Sequence, residues 1–167
     1  EFGRVPFRSQ DRNVVDIGDV NGPANPGQGP VNGYRHLAEV AGWNHAVHEA
    51  VYSALCAGEL PILLGGDHCL AIGSISAVAR HCRDSGKKLR VLWLDAHTDF
   101  NTHVLTPPGN THGMPVAVLC GHGPDELTPL CGTCPAITPS YLPQHCILSV
   151  CAGDHPFDRQ TVVECFF

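Results

Sequence analysis

No uninterrupted apolar run of 18 residues occurs in this chain of 167, so no transmembrane helix is expected. Basic residues are also scarce: ten Lys and Arg against 16 Asp and Glu leave a net charge of −6. Nucleic-acid binding needs a basic face. The only basic cluster, Arg80 to Arg90 with Lys87 and Lys88, falls where a helix should end. There it complements the helix dipole and needs no partner. Neither nucleic acid nor a membrane is therefore expected as a partner. No internal repeat and no signal peptide at Glu1 is visible. One Cys-x-x-Cys occurs, Cys131-Gly132-Thr133-Cys134. It lacks the second pair of a zinc ribbon and the strand-to-helix entry of a thioredoxin-like motif, so a zinc protein built on the tail cysteines ranks last among the readings. The nine cysteines are an odd, scattered set, expected to be reduced thiols of a cytoplasmic protein.

What the chain does contain is two polar motifs behind two apolar runs. Gly65-Gly66-Asp67-His68 follows Pro61-Ile62-Leu63-Leu64, and Asp95-Ala96-His97-Thr98-Asp99 follows Leu89-Arg90-Val91-Leu92-Trp93-Leu94. The runs read as buried strands of a parallel sheet. Ligands in open α/β sheets collect beyond the carboxyl ends of such strands. Two adjacent strands would set His68 beside the 95–99 loop. In an extended loop Asp95, His97 and Asp99 would point the same way and converge. Carboxylates with imidazoles and no cysteine suit a borderline or hard ion such as Mn²⁺ better than a structural zinc. Asp95 could bridge two ions roughly 3.5–4 Å apart that hold a nucleophilic hydroxide. Polar loop residues tied to backbone amides are the bland alternative.

Residues 13–17 read as a further strand, followed by a Pro/Gly loop over 18–33. A helix is expected over 34–56, where Leu37, Val40, Ala41, Asn44, Val47, His48, Val51 and Leu55 trace a mostly apolar stripe that Gly58 ends. His48 on that stripe reads as a core or boundary histidine and not as a ligand. A second helix over 70–83 turns inward Leu70, Ile72, Ile75, Val78 and Ala79 before Gly86 breaks it. A short helix over 114–119 should cover the site loop, 121–143 reads as loop, and 147–150 as the next strand. Alternating strands and helices predict an α/β fold. At 43 % apolar residues, one domain over 1–167 is expected, with an atypical tail at 151–167.

The two motifs, with Asn101-Thr102 through Thr106 and then Gly109-Asn110-Thr111-His112-Gly113, resemble the ureohydrolase family and, within it, the bacterial arginase branch. Gly22-Pro23-Ala24-Asn25-Pro26 and Tyr34-Arg35-His36-Leu37 resemble it too, so the likeness runs from about Val14 to Val150. The resemblance implies a three-layer α/β/α fold with a parallel sheet, present here in part. It implies two Mn²⁺ ions, with His68 and Asp99 on one, His97 on the other and Asp95 bridging. Asp99 and His112 become catalytic, His112 passing protons, as its near-neutral pKa class suits; without the resemblance a loop histidine is often merely solvated. Asn101, Thr106 and Asn110 become substrate-binding residues, and Pro108 replaces a serine that usually helps. The implied reaction is hydrolysis of L-arginine to L-ornithine and urea by a Mn-bridged hydroxide, in a protein that is commonly oligomeric. Asn101 and Thr106 favour an amino acid over agmatine, the agmatinase alternative.

The family's third metal motif, an Asp-x-Asp, is missing: none follows Asp99. Four of six expected protein ligands remain, so the second ion should be held weakly. Where arginases carry an Asp-Pro-Gly-Glu turn, this chain has Cys151-Ala152-Gly153-Asp154. The abrupt Glu1-Phe2-Gly3 start and the apolar Cys165-Phe166-Phe167 end suggest truncation at both ends. A catalytically incompetent arginase fragment is therefore the second reading of function.

Overall fold

The computed structural model describes residues 14–93, 95, 97–106, 109–132, 135–138 and 164–165. Two helices dominate it. Helix α1 spans Leu37–Cys56 and α2 spans Ala71–Asp84. Both end as the sequence foretells, and by the same device. Glu59 N–H reaches Ala54 O (3.0 Å) and Gly58 N–H reaches Leu55 O (3.1 Å) at α1, while Lys87 N–H reaches Cys82 O (2.7 Å) and Gly86 N–H reaches Arg83 O (3.1 Å) at α2. Each is a Schellman closure that needs a left-handed residue, supplied by Gly58 (φ 77°) and Gly86 (φ 66°). The start of α1 comes three residues later than the expected 34–56 range, at the first residue of the apolar stripe. Asn32 (φ 51°) and Gly33 (φ 80°) form a tight Asn-Gly turn ahead of it, and His36 is left-handed at φ 50°, so helical geometry begins at Leu37.

The two helices meet through a polar residue. Asn44 is fully buried; its Nδ2 donates to Val40 O (2.9 Å) and its Oδ1 accepts from Gly73 N–H (2.7 Å). Gly73 lies in the first turn of α2, where backbone N–H groups have no partner within the helix, and a Cβ there would collide with the Asn44 carbonyl. Close approach and side-chain capping thus come from one pair. Val47, Val51, Ala77 and Val78 pack beside it. A second cluster joins Tyr34, Ala41, Cys69, Ile72, Met114 and Val118. A third lies under the site, where Ile75, Val91, Trp93, Phe100, Val116 and Leu119 come together. Two of these residues come from α3 (Pro115–Leu119), the short helix expected over the site loop.

The sheet is where sequence and structure part. Among the described residues the one ladder is antiparallel, β1 (Val91–Leu92) against β2 (Glu164–Cys165). Residues 14–17 of the strand expected over 13–17, and the run read as a buried strand at 61–64, join no ladder, and Val15, Ile17, Ile62 and Leu64 are exposed. Continuous apolar runs signal a strand covered on both faces, and no neighbour among the described residues covers these two. The strand expected at 147–150 lies outside the described residues. Within the stretch read as loop, Thr128–Cys131 forms a 3-10 turn. No helix among the described residues is long and apolar enough to cross a membrane.

Candidate metal centre

The Gly65-Gly66-Asp67-His68 turn delivers His68 by a local cap. Asp67 is extended, its Oδ1 accepts from Cys69 N–H (2.9 Å), and a 3-10 turn runs over His68–Leu70 into α2. Opposite, β1 leads through Trp93 to the Asp95 loop. Trp93 is buried and its ring stacks on the His68 imidazole, centroids 4.6 Å apart and planes 14° from parallel. This fixes the ring plane. His68 Nδ1 then stands 3.1 Å from Asp99 Oδ2 and 3.6 Å from Asp95 Oδ2. One ligand atom from each of His68, Asp95 and Asp99 lies within 4.8 Å of the others.

The convergence does not come from an extended loop, which corrects the expectation of alternating side chains. Asp95 Oδ1 accepts from His97 N–H (2.9 Å), which turns the chain back. Asp99 is left-handed at φ 48°, an unusual state for a residue with a side chain and one that gathers at functional sites. Its carbonyl accepts from Val116 N–H (3.1 Å), tying the loop to α3. Asp95 and Asp99 therefore reach His68, while His97 is left outside that group. It stands 3.5 Å from Asp95 Oδ1 with its side chain 54 % exposed.

Asp99 is the member of this group whose surroundings best fit a cation. It is 6 % exposed, and its Oδ2 is buried without a hydrogen-bond partner, the nearby His68 nitrogen being misaligned for one. Burial pushes its carboxyl above the ordinary range and neighbouring Asp95 adds to the rise, against the pull of His68. A hard or borderline cation would relieve all of these at once. The donor set of His68, Asp95 and Asp99 fits one such ion. For a second, the further donor beside Asp95 among the described residues is His97.

His112 sits in the 3-10 turn Thr111–Gly113, with its ring 5.9 Å from that of His68, edge to face. Its Nδ1 is 3.5 Å from Asp67 Oδ1. Burial works upward on Asp67, yet the Cys69 N–H and thiol and the His112 ring more than offset it and hold the carboxyl below the ordinary range. Asn101 and Thr106 are half-buried and Asn110 is exposed. Asn101 N–H donates to Gly113 O (3.1 Å), which brings the 101 and 113 ends of the segment together. Asn110 and His112 line an open cavity of about 480 Å³ with Arg35, Glu39 and Trp43. Pro108 and Cys134 lie outside the described residues, as does the side chain of Cys131. Trp93 and Asp67 escaped the sequence reading as supporting residues. Asp67 stands directly before His68, and Trp93 two residues before Asp95, and these positions were the available signal.

A family model described as the arginase family matches residues 3–161. The chain is 37 % identical to the arginase of Bacillus caldovelox over 163 residues, 98 % of this chain and 52 % of that one. It is also 37 % identical to the arginase of Brucella melitensis over 158 residues, 93 % of this chain and 49 % of the other. The crystal structure of arginase from Bacillus subtilis superposes with a TM-score of 0.71 at 31 % identity, covering 85 % of this chain and 46 % of that chain. This chain thus spans about half the length of the curated relatives it matches.

Proposed function

The chain belongs to the arginase family, and from that premise we propose that it carries the first metal site of an arginase-type ureohydrolase, which hydrolyses L-arginine to L-ornithine and urea. The observation that carries the reading is the convergence of His68, Asp95 and Asp99 within 4.8 Å, with an unpartnered buried carboxylate oxygen among them. Manganese fits that donor set: His68 and Asp99 would hold one ion, Asp95 would be shared with a second, and His97, among the described residues, would be the further donor for that second ion. When bound, such ions supply a water-derived nucleophile near neutral pH. Asn101, Thr106 and Asn110 are the proposed substrate contacts, and the cavity beside Asn110 and His112 is in the size range of small-molecule sites. A three-layer α/β/α fold with a parallel sheet belongs to the same proposal and is supported by the superposition on arginase. Free thiols at Cys56, Cys69 and Cys82 support a cytoplasmic setting.

In this reading His112 handles the proton. Ionised Asp67 faces its Nδ1 and orients the ring, leaving Nε2 to donate to a departing amine. Trp93 keeps His68 from rotating out of the donor set. A second reading, an arginase-family chain with no turnover of its own, is favoured by the exposure of His97. Urea release from L-arginine by the Mn²⁺-treated chain, against Asp95→Ala, separates the two. Release abolished by the substitution supports turnover, and a folded chain that releases none supports the second reading.

A further inference from the structure

The polar contact between Tyr34 and His103 is used by neither the fold nor the proposed chemistry as described above. Tyr34 is 7 % exposed and packed in the cluster of Ala41, Ile72 and Met114. Its hydroxyl lies 2.6 Å from His103 Nδ1, and the two rings sit 4.5 Å apart, tilted by 37°. His103 stands in the middle of the segment that holds Asn101 and Thr106. The segment is closed on itself by Leu105 N–H and Thr106 N–H to Thr102 O (both 3.0 Å) and by Gly109 N–H to Thr106 O (2.8 Å).

The turn beneath it is doubly hydrogen-bonded. Val31 and Tyr34 exchange both backbone hydrogen bonds (2.8 and 2.9 Å) across Asn32-Gly33, whose two positive φ angles are those of a type I′ turn. Gly33 lets the His103 ring lie against the turn, since a Cβ there would stand 3.0 Å from its Cδ2. One residue on, Arg35 N–H donates to Gly109 O (2.9 Å). The 31–35 turn therefore grips the 101–109 segment twice, by a side chain in its middle and by backbone at its end. Burial, with Glu126 adding to it, holds the Tyr34 phenol above its ordinary value, so the hydroxyl keeps its proton beside His103 Nδ1.

We propose that Tyr34 and His103 form a latch that fixes the 101–109 segment and so sets selectivity for ligands bearing an α-carboxylate. Both are positioning residues. The selectivity rests on the proposed function above, because it takes Asn101 and Thr106 as the carboxylate contacts. A loose segment weakens what those residues hold and leaves the guanidinium end of the ligand, at the metal group, unaffected.

Two variants test it: Tyr34→Phe, which keeps the buried ring, and His103→Ala, at a half-buried position outside the core clusters. Hydrogen exchange at the Leu105, Thr106 and Gly109 amides of the metal-loaded chain is expected to quicken about 10-fold in both, the change that loss of one ordering hydrogen bond brings. Exchange in α1 and α2 should not change. Calorimetry should show L-arginine binding about 10-fold weaker and agmatine binding unaltered. Unchanged loop exchange overturns the latch, as does faster exchange throughout the chain. Equal weakening of both ligands overturns the selectivity. If the unsubstituted chain binds neither ligand, the proposed function and the selectivity fall together, while the exchange result still decides the latch.

Discussion

Asn44 and Asp99 are both buried polar residues, and they are treated in opposite ways. Asn44 lies between two helices with each end of its amide on a backbone partner. Asp99 lies at the end of a strained loop with no hydrogen-bond partner at Oδ2 and its charge disfavoured by burial. A buried polar group that is satisfied stiffens its surroundings, whereas an unsatisfied one costs stability until something completes it. The α1–α2 junction is therefore structure complete in itself. The metal centre is structure held open, and the fold that keeps Asp99, Asp95 and His68 together is supported from outside by Trp93 and α3.

The sharpest way to test that contrast is to neutralise Asp99. Asp99→Asn keeps the shape and removes the charge, so Mn²⁺ affinity should fall by more than about 100-fold, beyond what loss of a supporting contact costs. The metal-free variant should melt higher than the unsubstituted chain at pH 7, because the buried, like-charged pair with Asp95 is gone. Titration with Mn²⁺ and a thermal scan of the same samples read both effects. A variant that melts lower and binds as tightly would mean that Asp99 is structural, as Asn44 is.

The mirror experiment is Asn44→Ala. It leaves the Gly73 N–H buried with no partner, at a cost of about 1–3 kcal/mol. A drop in the urea midpoint should report this, while Mn²⁺ affinity of the folded fraction stays within experimental scatter. Loss of metal binding in step with stability would show that the junction and the centre are one unit.

These two residues also mark what sequence can reveal. Both helices were legible because a 3.6-residue stripe and a following glycine act locally, and Gly58 and Gly86 close them by the same hydrogen bonds. The ligand motifs were legible because His68, Asp95 and Asp99 sit in short, dense polar runs. Asn44 read as a blemish in an apolar stripe, since its partner Gly73 is 29 residues away. Tyr34 and His103 went unread for the same reason, at a separation of 69. The 14–17 and 61–64 runs misled differently: apolarity records what a segment needs from its neighbours, and those neighbours are not among the described residues. His97 was placed by alternation, which the turn at Asp95 and the left-handed Asp99 break.

A smaller effect comes from a buried group that lies between these extremes. His48 is 2 % exposed; its Nδ1 lies 3.0 Å from Glu49 Oε1, and its Nε2 is buried with no partner. Burial lowers its pKa below the ordinary value, with Arg80 and His45 adding to the fall and Glu49 opposing it. The sign follows from linkage. A depressed folded-state pKa means that the unfolded chain takes up the proton first, so the stability held above about pH 6.5 is lost as pH falls through the folded value. His48→Phe keeps a ring beside Tyr52, on which His48 now stacks with centroids 6.1 Å apart. Urea midpoints measured from pH 7.5 down to 5 should therefore decline less steeply in the variant than in the unsubstituted chain. Parallel declines would show that Glu49 already satisfies His48 as fully as the backbone satisfies Asn44.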